Sequence, residues 1–299
     1  MWRTRSTRAF ARTRRGATAI GLLALLCAVA PGARSASERL LATGGVTQIE
    51  GSGGGGLTPW ALISGLETNS QVGASADCTY VRPQYFSLTS CGVAVGIEDR
   101  VELSFARQIF DLDDVAPGKQ IRQDTLGAKV RLFGDAVYDQ DSGWPQVAAG
   151  LQFKQNHDFD FIPRLIGARS DDGVDFYLAA TKVFLAGPLS RTWLVDATLR
   201  ASRANQFGIL GFGGDRSDRY SYLGEGSVAV FLTDWLVAGT EYRQKPDKLS
   251  AFREQNAYDA FLAWFPVKYV SLTAAYVNLG NIATHPGEDG LYLALQGSF

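Results

Sequence analysis

Apolar and polar residues alternate along most of the chain with a period of two. Val72, Ala74 and Ala76 alternate with small or polar residues, and the same spacing recurs over 101–105 and 258–264. Strict alternation is typical of β-strands, whose successive side chains point to opposite faces. The pattern predicts an all-β chain with twelve strands at 71–82, 86–97, 100–110, 121–134, 144–154, 174–186, 190–203, 219–232, 235–245, 256–265, 268–280 and 290–299.

The predicted strands and their connections are typical of a membrane protein. Each predicted strand has ten or more residues, and a transmembrane strand needs about 9–11. Tight turns such as 96–101 and 186–191 alternate with longer loops such as 155–173 and 204–218. Outer-membrane barrels have short periplasmic turns and long outer loops. We therefore predict a transmembrane antiparallel β-barrel of about twelve strands, occupying residues 71–299, with both ends on the periplasmic side.

A soluble barrel or sandwich is the alternative, because alternation alone does not say which face is inside. The polar face is rich in Gly, Ala, Ser and Thr, which suits a crowded lumen. Aromatic residues fall near strand ends, as they do in the interfacial girdles of membrane proteins. These residues are Trp60, Tyr80, Trp144, Trp193, Trp235, Trp264, Tyr269 and Tyr276.

The N-terminal 36 residues have the three parts of a secretory signal peptide. Six arginines without an acid precede an apolar run at 19–30, and small residues follow. Export would place the barrel in a bacterial outer membrane. Without residues 1–36 the chain has 22 basic and 30 acidic residues, a net charge of −8. That balance excludes the basic stripe of a nucleic-acid-binding protein.

The chain ends on "DGLYLALQGSF", an apolar alternation that stops at an aromatic residue. Leu291, Leu293, Leu295 and Phe299 resemble the signal by which the outer-membrane assembly machinery recognises a last strand. We therefore expect the final strand to be both part of the barrel wall and an assembly signal. The expected partners are this machinery, the membrane lipid and lipopolysaccharide.

Charged residues lie on the polar phase of the predicted strands, and the two signs are balanced. A selective ion pore would have a ring of one sign, whereas mixed signs predict ion pairs across the lumen and at most a narrow polar path. Charges at membrane depth also need partners or water. The expected lumen charges are Asp77, Glu102, Lys129, Arg131, Lys154, Asp196, Arg200, Glu225, Glu241, Arg243, Lys245 and Asp259.

Residues 37–70 precede the first predicted strand and include seven glycines between 44 and 56. A thirteenth strand would break the alternation of turns and loops, and Pro59 lacks the N–H that a central strand needs. A dinucleotide site is excluded because the GxGxxG spacing has no strand before it and no helix after it. We predict a plug that folds back into the barrel mouth. Its expected residues are Gly51, Gly53, Gly54, Gly55, Gly56, Trp60 and Leu62.

Cys78 and Cys91 flank a predicted hairpin at nearly equal distances from its centre. Opposed residues of a hairpin have Cβ atoms about 4.5–5.5 Å apart, and an exported protein meets oxidising conditions. The two residues are therefore either a disulfide or two small apolar side chains on the lipid face.

The sequence offers little catalytic chemistry. His157 and His285 lie in predicted outer loops with Ser170 and Ser217, but nothing in the spacing pairs them. Acid pairs recur in the same loops, where oxygen ligands can bind calcium or bridge lipopolysaccharide. None has the spacing of a known calcium loop, so solubilising charge is the favoured interpretation. We predict no catalytic residues, cofactor or metal.

Five stretches resemble an uncharacterised Gram-negative family, domain of unknown function 3034. They are "GGVTQIEGSGGGGLTPWALISG" (44–65), "GVAVGIEDRVELSFARQIFDL" (92–112), "KVRLFGDAVYDQDS" (129–142), "NQFGILGFGGD" (205–215) and "LTAAYVNLGNIA" (272–283). The resemblance implies an outer-membrane-type β-barrel and no particular activity. The leading hypothesis is a narrow or gated channel for small solutes, because a barrel of this size leaves room for a path. The alternative is an outer-membrane enzyme or structural barrel that acts on lipid or envelope partners.

Overall fold

A closed β-barrel forms the wall of the molecule. The computed structural model describes residues 45–66, 70–113 and 115–299. Twelve antiparallel strands pair in chain order, and the last strand pairs with the first to close the sheet. The predicted fold class and strand number are confirmed. The predicted signal peptide at 1–36, and residues 37–44 and 67–69 of the predicted plug segment 37–70, lie outside the described residues.

Two short strands precede the barrel, β1 (Val46–Thr47) and β2 (Gly53–Gly54), and they form a separate two-stranded sheet. The barrel strands are β3 (Val72–Arg82), β4 (Ser87–Ile97), β5 (Val101–Asp111), β6 (Gln120–Phe133), β7 (Gln146–Asn156), β8 (Asp172–Phe184), β9 (Trp193–Ser202), β10 (Ser221–Thr233), β11 (Leu236–Arg243), β12 (Ala257–Val267), β13 (Val270–Asn278) and β14 (Asp289–Ser298).

Two strands are shorter than the ten residues expected. β11 has 8 residues and β13 has 9. β11 ends before Pro246, which cannot donate a ladder hydrogen bond, and the backbone N–H of Lys245 instead bonds the Asn256 side chain. β13 ends where the Asn278 side chain accepts a hydrogen bond from Gly280, whose φ is 67°. Local turn chemistry therefore overrides the apolar alternation at both ends.

The connections define two ends of the barrel. At the turn end, β4 and β5, β8 and β9, β10 and β11, and β12 and β13 are joined by short segments, and the 134–145 connection is longer. The loop end carries the short connection 83–86 and longer ones that include 157–171, 203–220, 244–256 and 279–288, and the connection 157–171 contains the four-residue helix α1 (Ile162–Leu165). Among the described residues, no helix has the length and apolar character needed to cross a membrane.

The last strand closes the barrel beside the chain end. Leu295 is opposite Cys78, and the backbone groups of Phe299 and Ala74 exchange two hydrogen bonds, 2.7 and 3.0 Å long. Leu291 and Leu293 are exposed on the outer face of β14, and Leu295 is half-buried there. The carbonyl of Phe299 also accepts a hydrogen bond from Leu66. The chain terminus thus joins the wall to the segment that precedes it.

The polarity of the barrel is inverted relative to a soluble protein. Large apolar side chains such as Leu103, Leu126 and Phe176 are exposed on the outer face, whereas charged side chains are buried on the inner face. An apolar outer band with a polar interior is the arrangement of a transmembrane barrel. The fold is therefore that of an outer-membrane-type barrel.

Aromatic side chains mark both rims of the apolar band. Tyr80 and Tyr276 are exposed toward the loop end, and Trp144, Trp235, Trp264 and Tyr269 are exposed toward the turn end. Trp193 is half-buried at the start of β9. Trp60 does not belong to this girdle, because it lies inside the barrel and its indole N–H donates to Ser227.

Cys78 and Cys91 are directly opposed on β3 and β4 and are joined by a disulfide in the structure. The bond closes a loop between positions 13 residues apart. A crosslink of this span stabilises chiefly by restricting the unfolded chain.

We expect the double variant Cys78→Ala/Cys91→Ala to unfold with a free energy about 2–3 kcal/mol lower than the wild type. Urea unfolding in detergent micelles measures the change. Titration of the denatured, unreduced mature protein should find neither thiol reactive. A titration that counts two free thiols would contradict the disulfide and remove the basis for the stability difference.

Candidate functional site

The inner face of the barrel carries the charges expected from the alternation. Ten of the twelve, from Asp77 on β3 to Asp259 on β12, are buried on the inward face of a strand. The other two differ in position. Arg131 is half-buried at the turn end beside Asp99, and Lys245 is buried beyond the end of β11, 2.9 Å from Glu254. Burial lowers the pKa of Lys245 and raises that of Glu254.

Residues 45–66, which we call the lumen segment, lie within the barrel and are buried throughout. The pairing of β1 and β2 folds the first part of the segment into a hairpin with Glu50 near its tip. Thr47 donates a hydrogen bond to Gln296 near the turn end. The carbonyl of Ile49, farther inside, accepts from Ser90 and Gln108. The predicted plug residues Trp60 and Leu62 are buried here.

One ion pair of the wall binds the backbone of the lumen segment. Lys129 and Glu102 lie 3.0 Å apart on β6 and β5. The Lys129 ammonium donates to the carbonyls of Gly53, Trp60 and Leu62 at 2.6–3.1 Å. Glu102 accepts from the backbone N–H groups of Gly53 and Ser64 at 3.0 and 2.8 Å. Side chains of the wall therefore replace water around the polar backbone of the segment.

A second contact lies on the opposite part of the wall, around Glu241 of β11. Its carboxylate accepts from the N–H of Leu57 at 2.7 Å and from the hydroxyl of Thr58 at 2.6 Å. Ser227 of β10 lies 2.6 Å from the same hydroxyl and donates to Glu241 at 2.8 Å. This contact holds the middle of the lumen segment against β10 and β11.

Glycines allow the segment to approach the wall at two positions in particular. Gly51 has a φ of +93°, and a Cβ there would lie 3.0 Å from the Cβ of Ala106. A Cβ at Gly55 would lie 1.9 Å from the Glu241 carboxylate. Only glycine combines such freedom of φ with so close an approach. The glycines at these two positions are thus explained by the close approach of the segment to the wall and, at Gly51, by a positive φ.

The tip of the segment lies in a network of buried ions. Glu50 contacts Lys154 of β7 and lies 2.8 Å from Arg243 of β11 and 4.0 Å from Arg200 of β9. The same three cations contact Asp175 and Glu225. Glu50 and Asp175 were not among the predicted charges. The alternation of β8 places Asp175 on the polar phase, but no local signal points Glu50 into this network.

A second segment enters the lumen from the loop end, and it was predicted only as an outer loop. Residues 204–214, which we call the loop segment, are buried. The Asn156 side chain donates to the carbonyl of Ile209 at 2.7 Å, and Lys245 donates to the Gln206 side chain at 2.6 Å. The ring of Phe207 lies 4.2 Å from the Arg243 guanidinium. The loop segment contains the run "FGILGFGG", and this series of apolar residues and glycines is the sequence signal that could have indicated its burial.

The two segments meet inside the barrel. A cavity of about 20 Å³ remains between them, and its lining includes Ile49 and Leu57 of the lumen segment and Phe207 and Ile209 of the loop segment. Such a cavity has room for about one water molecule. The interior at this level is therefore filled by two segments that are not strands of the wall.

The loop histidines are not joined to the serines suggested by the sequence. The His157 ring lies 3.0 Å from the Asp124 carboxylate, and the His285 ring packs against Tyr85 and Phe86. Ser170 donates to Asp172 at 2.7 Å. Among the contacts of the described residues, none pairs either histidine with Ser170 or Ser217.

The chain is similar to one sequence family and, at low identity, to several solved structures. The sequence profile of the family described as "Protein of unknown function (DUF3034)" matches residues 43–296. No curated protein matches the chain. The solved KdgM porin is 10% identical over 75% of this chain and 99% of its own, with a TM-score of 0.49.

Two further solved structures show similarity at the same level. The NanC porin is 10% identical over 76% of this chain and 98% of its own, with a TM-score of 0.45. The Acinetobacter baumannii outer membrane protein Omp33 is 10% identical over 77% of this chain and 98% of its own, with a TM-score of 0.43. At these identities the similarities do not indicate a shared solute.

Proposed function

We propose that this chain, which belongs to the DUF3034 family, is a gated outer-membrane channel for small solutes, with the lumen segment as its plug. In this proposal the turn end faces the periplasm and the loop end faces outward, where it meets lipopolysaccharide. The leader at 1–36 directs export, and the last strand is recognised by the assembly machinery.

The observation that carries the proposal is the way in which the lumen is filled. An eight-stranded barrel is just wide enough for the side chains of its own wall, and the diameter grows with strand number. In this twelve-stranded barrel the extra width is occupied by the lumen segment and the loop segment. A purely structural barrel needs no such inserted chain, because larger inward side chains on the wall can fill the same space.

The contacts that hold the lumen segment also favour a displaceable plug. Lys129, Glu102 and Glu241 bind its backbone through hydrogen bonds that water can replace. An unpaired charge in a dry interior is costly, whereas a hydrated lumen satisfies it. A wall of this polarity therefore tolerates both a filled and a water-filled interior, which an apolar wall would not.

A reversible crosslink between the plug and the wall tests the proposal. Thr58 and Ser227 have hydroxyl oxygens 2.6 Å apart, so Thr58→Cys/Ser227→Cys places two thiols in reach of each other. We expect the oxidised variant to be silent in planar bilayers and the reduced variant to open. The two single-cysteine variants and the wild type, each measured with and without reductant, separate this crosslink from the native disulfide.

The conductance of the oxidised and reduced variants decides whether the lumen segment is a gate. If the oxidised variant conducts as freely as the reduced one, the lumen segment is not the gate. If the wild type and the reduced variant are both silent over long recordings in folded form, the channel function is wrong, and a structural role is the better description.

A further inference from the structure

The carboxylate of Glu50 occupies a site that the barrel wall builds around it. Its oxygens lie beside Lys154 and Arg243 of the wall, and within the lumen segment the Gln48 side chain also donates to it at 3.0 Å. Glu225 of the wall lies 3.2 Å from Arg243 and orients the guanidinium, which also donates to the carbonyl of Leu57 in the lumen segment at 2.9 Å. All of these side chains are nine-tenths or more buried. The site therefore has the donors and the shape of a carboxylate-binding site.

The wall does not neutralise this site by itself. Lys154, Arg200 and Arg243 contribute three positive charges, and Asp175 and Glu225 contribute two negative charges. Glu50 supplies the third carboxylate from the lumen segment. When the segment leaves, one positive charge on the wall has no partner, and a buried or partly hydrated cation favours an incoming anion.

The surroundings of the site suit a small organic molecule rather than a bare inorganic ion. Gln152 lies next to the cations and donates to Gln48 at 3.2 Å, so its amide is available to a polar solute once the segment is gone. On the other side, the Phe207 ring of the loop segment lies 4.2 Å from the Arg243 guanidinium and leaves an apolar surface beside the cations when the lumen segment is gone. Arginine and lysine provide the charge-assisted hydrogen bonds by which carboxylates are recognised.

We propose that Glu50 is an internal stand-in for the solute and that the channel conducts small organic carboxylates, which bind Lys154, Arg200 and Arg243 after the plug leaves. This inference rests on the proposed channel function. Solute and Glu50 compete for the same cations, so a bound carboxylate favours the open state over the closed state.

Titration of the plug-deleted barrel with glutarate tests the inference. In a barrel that lacks residues 40–66, glutarate should interrupt the chloride current at concentrations where glucose does not. Arg243→Gln should weaken this block at least about tenfold, because a charge-assisted hydrogen bond is lost. Arg131→Gln is the matched control, since Arg131 lies at the turn end beside Asp99, and it should change the block by less than about twofold.

The melting temperature of the barrel tests the carboxylate site independently of the channel function, because it needs no ionic current. Glutarate that binds the folded barrel raises its melting temperature in detergent. If the deleted barrel conducts but glutarate neither blocks its current nor raises its melting temperature, the proposed carboxylate site is wrong and the channel function stands. If glutarate raises the melting temperature of a barrel that does not conduct, the carboxylate site is supported and the channel function is contradicted.

If the deleted barrel fails to fold, Glu50→Gln in the full chain replaces it. This variant keeps the hydrogen-bonding shape of the side chain but leaves the wall cation unpaired. Glutarate should stabilise it more than it stabilises the wild type. Equal stabilisation of both proteins, or of neither, would overturn the inference.

Discussion

Deletion of residues 40–66 should leave a folded barrel whose mean conductance exceeds that of the full chain by more than about tenfold. The closed state depends on several hydrogen bonds to charged groups, each of which contributes about 1.5–3 kcal/mol, and a factor of ten corresponds to about 1.4 kcal/mol. The twelve strands pair with one another without the segment. Heat-modifiable migration in gels and single-channel recording in planar bilayers measure the two parts of the result.

A synthetic peptide of residues 45–66 provides the control. Added to the turn end of the deleted barrel, it should restore closure by binding Lys129, Glu102 and Glu241 as the native segment does. A matched peptide with Gly55→Val should not, because a Cβ at that position would collide with Glu241. An unfolded deletion product would show that the segment is required for the wall. A folded product with unchanged conductance would show that it is not the gate.

Shortening the loop segment in the deleted barrel should raise the conductance further, whereas shortening it in the full chain should change little. The two segments obstruct the same lumen in series, and we expect the lumen segment to be the tighter obstruction, so the loop segment limits the conductance only after the lumen segment is removed. The N–H of Gly213 bonds the carbonyl of Arg203, so a short Gly-Ser linker can replace residues 205–212 between adjacent ends. Single-channel recording of the full chain and the deleted barrel, each with the native and with the shortened loop segment, measures the effect.

The conformation of the loop segment suggests that it can leave the lumen. Gln206 and Phe207 are adjacent non-glycine residues with φ of 44° and 62°, a conformation that costs about 1–2 kcal/mol per residue. Contacts with Asn156, Lys154 and Lys245 offset this strain in the closed structure. If the barrel that lacks residues 40–66 conducts equally well with the native and with the shortened loop segment, the loop segment does not limit the path.

Much of the wall was predictable, because its signals are local. Alternation over consecutive residues defines a strand and its two faces, so the inward positions of Lys154 and Arg200 follow from the strands that carry them. The equal distances of Cys78 and Cys91 from their hairpin centre predict opposed positions, and the register places them there. Where the prediction was wrong, as at the end of β11, a side chain such as Asn256 accepts the hydrogen bond of a backbone N–H that the prediction had placed in the strand.

The interior was decided by the tertiary structure. Glu50 is surrounded by cations from β7, β9 and β11, which lie far apart in the sequence and converge only because the sheet curves into a barrel around the lumen segment. The inward course of residues 204–214 likewise depends on Asn156 and Lys245 from other connections. Periodicity tells which residues face the lumen. Which of them meet across it depends on closure and register, which no local stretch of sequence encodes.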